Sequence, residues 1–192
     1  MDASTATPSP SSQPSRRETA LVIPVPAADP LVGGWRDRFD PSARAGIPAH
    51  ITILYPFLDA STVDDRVISE LRAQFSRENP ISFALVAVKR FVPSVLYLEP
   101  RPSQPFSRLT MEVWSLYPDH PPYGGRFRNV VPHLTIGEGP HESQYDEIER
   151  QIKGSLPVGA VADRVVLMEQ EAPGGRWRTR AEFLLGRASR HR

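Results

Sequence analysis

Apolar and polar positions alternate in the same way at two places in the chain. His50-Ile51-Thr52-Ile53 and His133-Leu134-Thr135-Ile136 each run histidine, aliphatic residue, threonine, isoleucine, and each closely follows a proline, Pro48 or Pro132. Alternation at period two predicts a half-buried strand. Ile51, Ile53 and Tyr55 then share one face and His50 and Thr52 the other, with Leu134 and Ile136 likewise opposite His133 and Thr135. Residues two apart on a strand face stand roughly 6.6 Å apart. With the apolar face on a core, each strand offers a histidine and a hydroxyl to a groove.

The pattern around these strands predicts the other elements. Residues 19–25 form an apolar, β-branched first strand. Asp29-Pro30 caps and opens a short helix carrying Leu31, Trp35 and Phe39 at four-residue spacing. A helix over 61–75 takes Ser61 or Thr62 as its cap, Asp64 and Asp65 in its first turn, and Val63, Val67, Leu71 and Phe75 as its buried face. Residues 81–91 and 94–99 read as a hairpin turning at Val92-Pro93. Gln104-Pro105 opens a helix with Phe106, Leu109, Val113 and Leu116 inward, stopped by Pro118. A loop rich in proline and glycine over 118–128 leads to the second motif. A helix over 143–153 follows, then strands over 160–169 and 177–185 joined at Pro173-Gly174-Gly175. Motif strand, helix and strand pair thus occur twice, the mark of internal duplication. The predicted fold is α+β and bilobal, with two mainly antiparallel sheets forming a central cleft and helices on the outside.

Composition narrows the choices. Apolar residues make up 40% of the 192, enough for a real core, and no apolar stretch approaches the length that spans a bilayer. Residues 1–17 are mostly Ser, Thr, Pro and Ala and read as a disordered tail; 18–186 form a single bilobal domain and 187–192 a basic tail. Met1 is followed by an acid and no apolar core, so the N-terminus is not read as a secretory signal. The absence of cysteine excludes disulfides, thiolate metal sites and a cysteine nucleophile, and fits a cytoplasmic protein. A net charge of +1 implies no general polyanion-binding surface, so an anion would be held by local groups.

The chain has eight threonines, so a histidine meets one two places on by chance about one time in 24; two of the five histidines do so here. Two imidazoles can act as acid and base near neutral pH, and two hydroxyls can hold an anion. The competing readings are two unrelated strand histidines satisfied by backbone carbonyls, and a zinc site. Neither motif has a carboxylate or cysteine at ligand spacing. His120, His141 and His191 lack the motif context and read as loop or surface residues. Arg126 and Arg128 are candidate phosphate or nucleotide contacts; Tyr55, Tyr123 and Phe127 are candidate stacking residues. Phe57 reads as core, Trp35 as packing, and Arg176, Arg178 and Arg180 as one solvated strand face, with an RNA-contacting stripe as the alternative.

The paired H-x-T-x motifs, with the lead-in Tyr123-Gly-Gly-Arg-Phe-Arg-Asn-Val-Val-Pro132, resemble the two-histidine (2H) phosphoesterase superfamily, which includes 2′–5′ RNA ligase-like proteins and 2′,3′-cyclic phosphodiesterases. The resemblance covers roughly residues 19–186. It implies His50 and His133 as catalytic groups and Thr52 and Thr135 as phosphate-binding groups, with no metal and no cofactor. The implied reaction is hydrolysis of a 2′,3′-cyclic phosphate, possible in reverse as 2′–5′ ligation. Expected partners are RNA ends or small nucleotide cyclic phosphates, with no membrane and no protein partner, the chain acting as a monomer. A non-catalytic RNA- or nucleotide-binding module, or an enzyme acting on a small-metabolite cyclic phosphate, would use the same cleft.

Overall fold

The computed structural model describes residues 16–127, 129–139 and 142–186. Residues 1–15 and 187–192 of the expected tails, with Arg128, His141 and His191, lie outside the described residues. Among the described residues, eight strands and five α-helices follow one another. They are β1 (Thr19–Pro24), α1 (Asp29–Phe39), α2 (Pro41–Arg44), β2 (His50–Leu54), α3 (Asp65–Phe75), β3 (Ile81–Phe91), β4 (Val95–Arg101), α4 (Gln104–Leu116), β5 (Leu134–Glu138), α5 (Glu142–Lys153), β6 (Val158–Ala162), β7 (Arg164–Gln170) and β8 (Trp177–Leu184).

The strands lie in the order β6-β3-β4-β5-β2-β1-β7-β8, and every neighbouring pair is antiparallel. At the centre is a narrow seam, where β2 and β5 are in register at Ile51↔Leu134. On either side stands a four-stranded half, so the two expected sheets are halves of one sheet joined where the two motifs meet.

The duplication is deeper than strand, helix and strand pair. β1-α1-β2-α3-β3 matches β4-α4-β5-α5-β7, and the third strand of each repeat pairs with the first strand of the other: β3 with β4, β7 with β1. Strands β6 and β8 then form the two sheet edges. The single strand expected over 160–169 is two strands. Ala162 pairs with Ile81 in one half and Val166 with Val22 in the other, so the chain steps between halves at Asp163. An unbroken apolar run looks the same in sequence whether it stays in one sheet half or crosses to another.

Both sheet faces carry buried residues, which explains the continuous apolar runs in β1 and β7. Leu21, Ile23, Val165 and Leu167 join the main core, whereas Ala20, Val22, Val166 and Met168 form a smaller cluster with Ile47. The helices pack reciprocally across the seam. α1, from the first repeat, lies on β5, and α4, from the second, lies on β2.

Three local expectations change. The cap of α3 is Asp64, whose carboxylate accepts the Val67 N–H at 2.9 Å; residues 60–62 form a separate 3₁₀ turn. The fully buried positions of α1 are Val32 and Arg36, with Leu31, Trp35 and Phe39 only partly covered. Leu116, the last residue of α4, is 41% exposed rather than inward.

Candidate active site

His50 opens β2 and His133 directly precedes β5, so the two rings enter from the two sides of the seam. Each makes the same local bond. His50 Nδ1 lies 2.8 Å from the Pro48 carbonyl and His133 Nδ1 2.7 Å from the Val131 carbonyl, two residues upstream in both cases. A carbonyl only accepts, so Nδ1 carries the proton and donates it, and Nε2 is left for a ligand. The carbonyl contact that a merely structural histidine would make is therefore present, and here it fixes the tautomer of a ring that lines a cavity.

That cavity, of about 510 Å³, brings together His50, Thr52, His133 and Thr135. Tyr55 and Tyr123 line it too, as do Ala20, Val22, Ile47 and Trp177. Among the described residues, Asp40 and Glu138 are the charged side chains on its wall.

The two imidazoles sit in different surroundings. Burial pushes the His50 pKa down to about 4; the Pro48 carbonyl opposes the shift and the Arg36 charge adds to it. Burial also lowers His133, opposed by the Val131 carbonyl. His133 rests edge-on against Phe91 (centroids 5.0 Å apart) and near Tyr97 (5.4 Å), which stack on one another at 4.1 Å. Burial thus favours the neutral form of both rings near pH 7.

Beside His50 lies a buried ion pair. Arg36 donates from Nε and Nη2 to one Asp40 oxygen at 3.0 and 2.8 Å, and from Nη2 to the Ile47 carbonyl at 3.3 Å. The other Asp40 oxygen accepts from the Ser42 N–H and hydroxyl at 2.8 and 2.7 Å. Removing two charges from water costs several kcal/mol per ion, and such a pair persists because its remaining lone pairs and protons are matched. The result is a rigid turn over 40–47 leading directly into His50.

The other sequence candidates separate. Tyr55 lines the cavity rather than the core, because Ile53 and Leu54 both enter the core and break the alternation before it. Its hydroxyl donates to Glu18 at 2.7 Å, and burial with that carboxylate raises its pKa to about 12. Arg126 is exposed but near enough for its charge to act on Tyr55. Phe127 is 62% exposed and packs edge-on against Tyr123 at 5.6 Å. Arg178 and Arg180 both pair with the buried Glu169, at 2.5 Å each, and Arg180 also caps the Val63 carbonyl. Both arginines thus tie β8 to Glu169 on β7, and Arg180 also braces β8 against the turn before α3, so they are structural partners rather than a free stripe.

Sequence reasoning missed Trp177, Asp40, Glu138 and the Phe91–Tyr97 platform. Trp177 reaches the cavity only through the β7–β8 pairing, and no local pattern announces that. Asp40 did carry a signal. Asp-Pro-Ser, with the acid accepting from the residue two on, is a helix-cap signature.

The fold and site define a duplicated α+β protein with one histidine and one threonine contributed by each repeat to a shared cleft. A family profile described as the 2′-5′ RNA ligase superfamily matches residues 23–174, and the chain belongs to that family. A Geobacillus kaustophilus protein named "Putative phosphoesterase" is 27% identical over 170 residues, covering 86% of this chain and 94% of its own. A Bacillus cereus protein of the same name is 27% identical over 173 residues, covering 88% and 96%. Among solved structures, Escherichia coli LigT in its apo form superposes with a TM-score of 0.59 at 20% identity, covering 89% of this chain and 99% of that one. A Thermus thermophilus protein gives 0.55 at 14% identity, covering 88% and 98%. These structural likenesses bear on the fold.

Proposed function

We propose that the protein is a metal-independent phosphodiesterase that opens 2′,3′-cyclic phosphate ends of RNA or nucleotides. The observation that carries this reading is the convergence of His50, Thr52, His133 and Thr135 on one cavity, each imidazole tautomer fixed by a backbone carbonyl. Membership of the 2′-5′ RNA ligase superfamily supports it, as do the relatives named as phosphoesterases, and LigT has been crystallised with 3′-AMP. The four motif residues are the proposed catalytic and phosphate-binding set.

In the hydrolytic direction, water attacks phosphorus and the bond to one ribose oxygen breaks. His50 Nε2 takes the proton from the water, and His133 Nε2 gives its proton to the departing ribose oxygen. The assignment follows the surroundings. Burial holds the His50 ring neutral down to about pH 4, which suits it to accept a proton, and His133 is then left as the acid, charged by the proton that an incoming phosphate anion favours. Thr52 and Thr135 hydroxyls donate to the non-bridging oxygens, where charge grows in the transition state. With a 5′-hydroxyl in place of water, the same groups in the same roles would form a 2′–5′ linkage: the base takes the 5′-hydroxyl proton, the bond from phosphorus to the 3′-oxygen breaks, and the acid protonates that oxygen. Tyr55 and Trp177, whose rings lie edge to face at 6.1 Å on the cavity wall, offer an aromatic surface for the nucleoside. Arg126, whose charge reaches Tyr55, and Arg128 are proposed contacts to more distant phosphates, and Phe127 an outer stacking surface. A cysteine-free chain acting on RNA ends fits the cytoplasm. Monomeric action fits a cleft whose four motif residues come from one chain.

The test is incubation with a 2′,3′-cyclic nucleotide, following release of a 2′- or 3′-phosphomonoester. Turnover that persists in EDTA is the expected result. Binding without product would replace the enzyme by a nucleotide-binding module.

A further inference from the structure

One buried polar group on the cavity wall has no part in the scheme above. Gln170 ends β7, is 6% exposed, and lines the cavity. Its Oε1 accepts from two backbone groups, the Glu18 N–H at 3.1 Å and the Gly174 N–H at 3.4 Å. Of the two amide atoms only the oxygen accepts, so these bonds settle which way the amide stands and leave Nε2 with two protons to donate. Among the described residues no acceptor meets Nε2, and yet the atom is not sealed in the interior, where an unpaired donor is costly. It therefore faces the open space that Gln170 lines.

The surroundings say what that space could take. Trp177 is the cross-strand partner of Gln170, so the two side chains stand side by side on one sheet face. Tyr55 meets Trp177 edge to face, and its hydroxyl donates to Glu18, the residue whose N–H holds Gln170 Oε1. The Gln170 N–H donates in turn to the Glu18 carbonyl at 3.0 Å. Glu18 thus fixes an aromatic ring and an amide together. This corner lies at the end of the sheet away from His50: along β1, Pro24 is opposite His50, Val22 opposite Thr52, and Thr19 opposite Glu169. A nucleotide with its phosphate at the motif residues sends its base toward this corner, the edge farthest from the ribose leading.

We infer that Gln170 is a specificity-determining residue that reads the base, selecting bases with a carbonyl on the edge farthest from the ribose. The inference deepens the phosphodiesterase reading and rests on it. Uracil O4 and guanine O6 accept a hydrogen bond, whereas cytosine and adenine carry amino donors, N4 and N6, at the same ring positions. An amide with only N–H to offer is left unpaired against an amino group, and discrimination comes from that loss more than from the bond gained. Tyr55 and Trp177 can stack on any base, since every base has a π-face, so the choice falls to Gln170.

The test compares full-length wild type, Gln170→Leu and Gln170→Glu for kcat and KM on the four nucleoside 2′,3′-cyclic phosphates and on glycerol 1,2-cyclic phosphate, which has no base. Binding of the four nucleoside 3′-monophosphates is measured by calorimetry at about pH 8, where a glutamate is ionised, and thermal unfolding checks the fold. Wild type should favour uridine over cytidine and guanosine over adenosine about tenfold, chiefly through KM. Gln170→Glu keeps an acceptor for the Glu18 and Gly174 N–H groups and gives up both donors, so each ratio should fall to about one or reverse. Gln170→Leu should bring each ratio close to unity. A wild type without the carbonyl preference, in turnover or in binding, would overturn the inference. So would variants that slow all five substrates by one factor and keep the wild-type ratios, the mark of a structural role; in that case the phosphodiesterase reading stands. If wild type turns nothing over but binds the uridine and guanosine monophosphates more tightly, with that preference lost in both variants, the recognition stands and the proposed activity falls. If wild type neither binds nor turns over, both fall.

Discussion

Gly137 is the position where adding one carbon should do most damage. It lies in β5, two residues beyond Thr135, where α1 crosses from the other repeat. A Cβ built there would stand 2.7 Å from Phe39 Cβ, and 3.6 Å from both the carbonyl carbon and oxygen of Phe39. Carbon atoms pack best at about 3.5–4.0 Å, so the overlap is about 1 Å. Both clashing atoms are β-carbons fixed to backbone, and no rotamer change relieves them; the helix or the strand must move. Overpacking of this kind typically costs about 1–3 kcal/mol. The displacement also has a route to the chemistry. Phe39 precedes Asp40, and the Arg36–Asp40 pair grips Ser42 and the Ile47 carbonyl just ahead of His50. A misplacement of about 1 Å at a reacting group can cost about 100-fold, so Gly137→Ala should lose at least tenfold in kcat/KM on a cyclic nucleotide, besides a lower urea midpoint. Gly159→Ala is the control. Its new Cβ meets nothing within 4 Å, and the loss of unfolded-state freedom should leave stability unchanged or raised by under about 1 kcal/mol. A Gly137→Ala protein with the midpoint and turnover of wild type would refute the argument that helix-to-strand contact sets the site.

Replacing either His50 or His133 by alanine should cut turnover at least ~100-fold, with circular dichroism unchanged; near-normal rates in either variant would end the two-histidine scheme. The kcat/KM profile should be a bell lying between about pH 4, where His50 must lose its proton, and an upper limb below 6.5, where the burial-lowered His133 must keep its own. An optimum above pH 8 would contradict the assignment. The same depressed pKa predicts a stability change. The unfolded chain protonates His50 near 6.5 and the folded one near 4, so stability fully present above 6.5 is lost as pH falls through that window. The loss is at most about 3 kcal/mol before discounting for the solvent-exposed part of the ring. His50→Gln should flatten that slope in urea titrations. Glu169→Gln should lower stability by about 1–3 kcal/mol and spare turnover, because Glu169, Arg178 and Arg180 are absent from the cavity lining; the two arginines, 58% and 30% exposed, recover hydration in part.

The motif strands, the hairpin β3–β4 and the helices were legible because each is a local pattern: alternation, a proline turn, a stripe at four-residue spacing. The α1 stripe shows the limit. Leu31, Trp35 and Phe39 look like the inward face, yet the fully buried side chains are Val32 and Arg36. An arginine reaches the interior only with a carboxylate four residues on and a carbonyl from residue 47, and the second partner is invisible until the chain is folded. Alternation extended to Tyr55 predicts the core face, but β2 holds one extra residue there: Leu21 faces Leu54 and the next residue, Val22, faces Thr52, which leaves Ile53 over and shifts the side that follows. The exchange of third strands between repeats had no sequence signal, because β3 and β7 have the same apolar character wherever they pair.

That exchange explains how two histidines from separate repeats are held in one cavity. The seam between β2 and β5 is too short to fix their separation, since Ile51 and Leu134 are in register and little else is. Instead, each motif strand is backed by the helix of the opposite repeat, α4 under β2 and α1 under β5. Moving one ring relative to the other therefore requires sliding a helix over a strand of the other half, against fully buried contacts such as those of Phe106, Val113 and Leu134. Packed interiors resist such displacement strongly. The cleft is accordingly pre-organised at its histidines, and each ring is further tied to its own backbone by a carbonyl two residues away. Pre-organisation of that kind suits acid–base chemistry on a small strained diester, where the acid and base must stand on opposite sides of one phosphorus before the reaction begins.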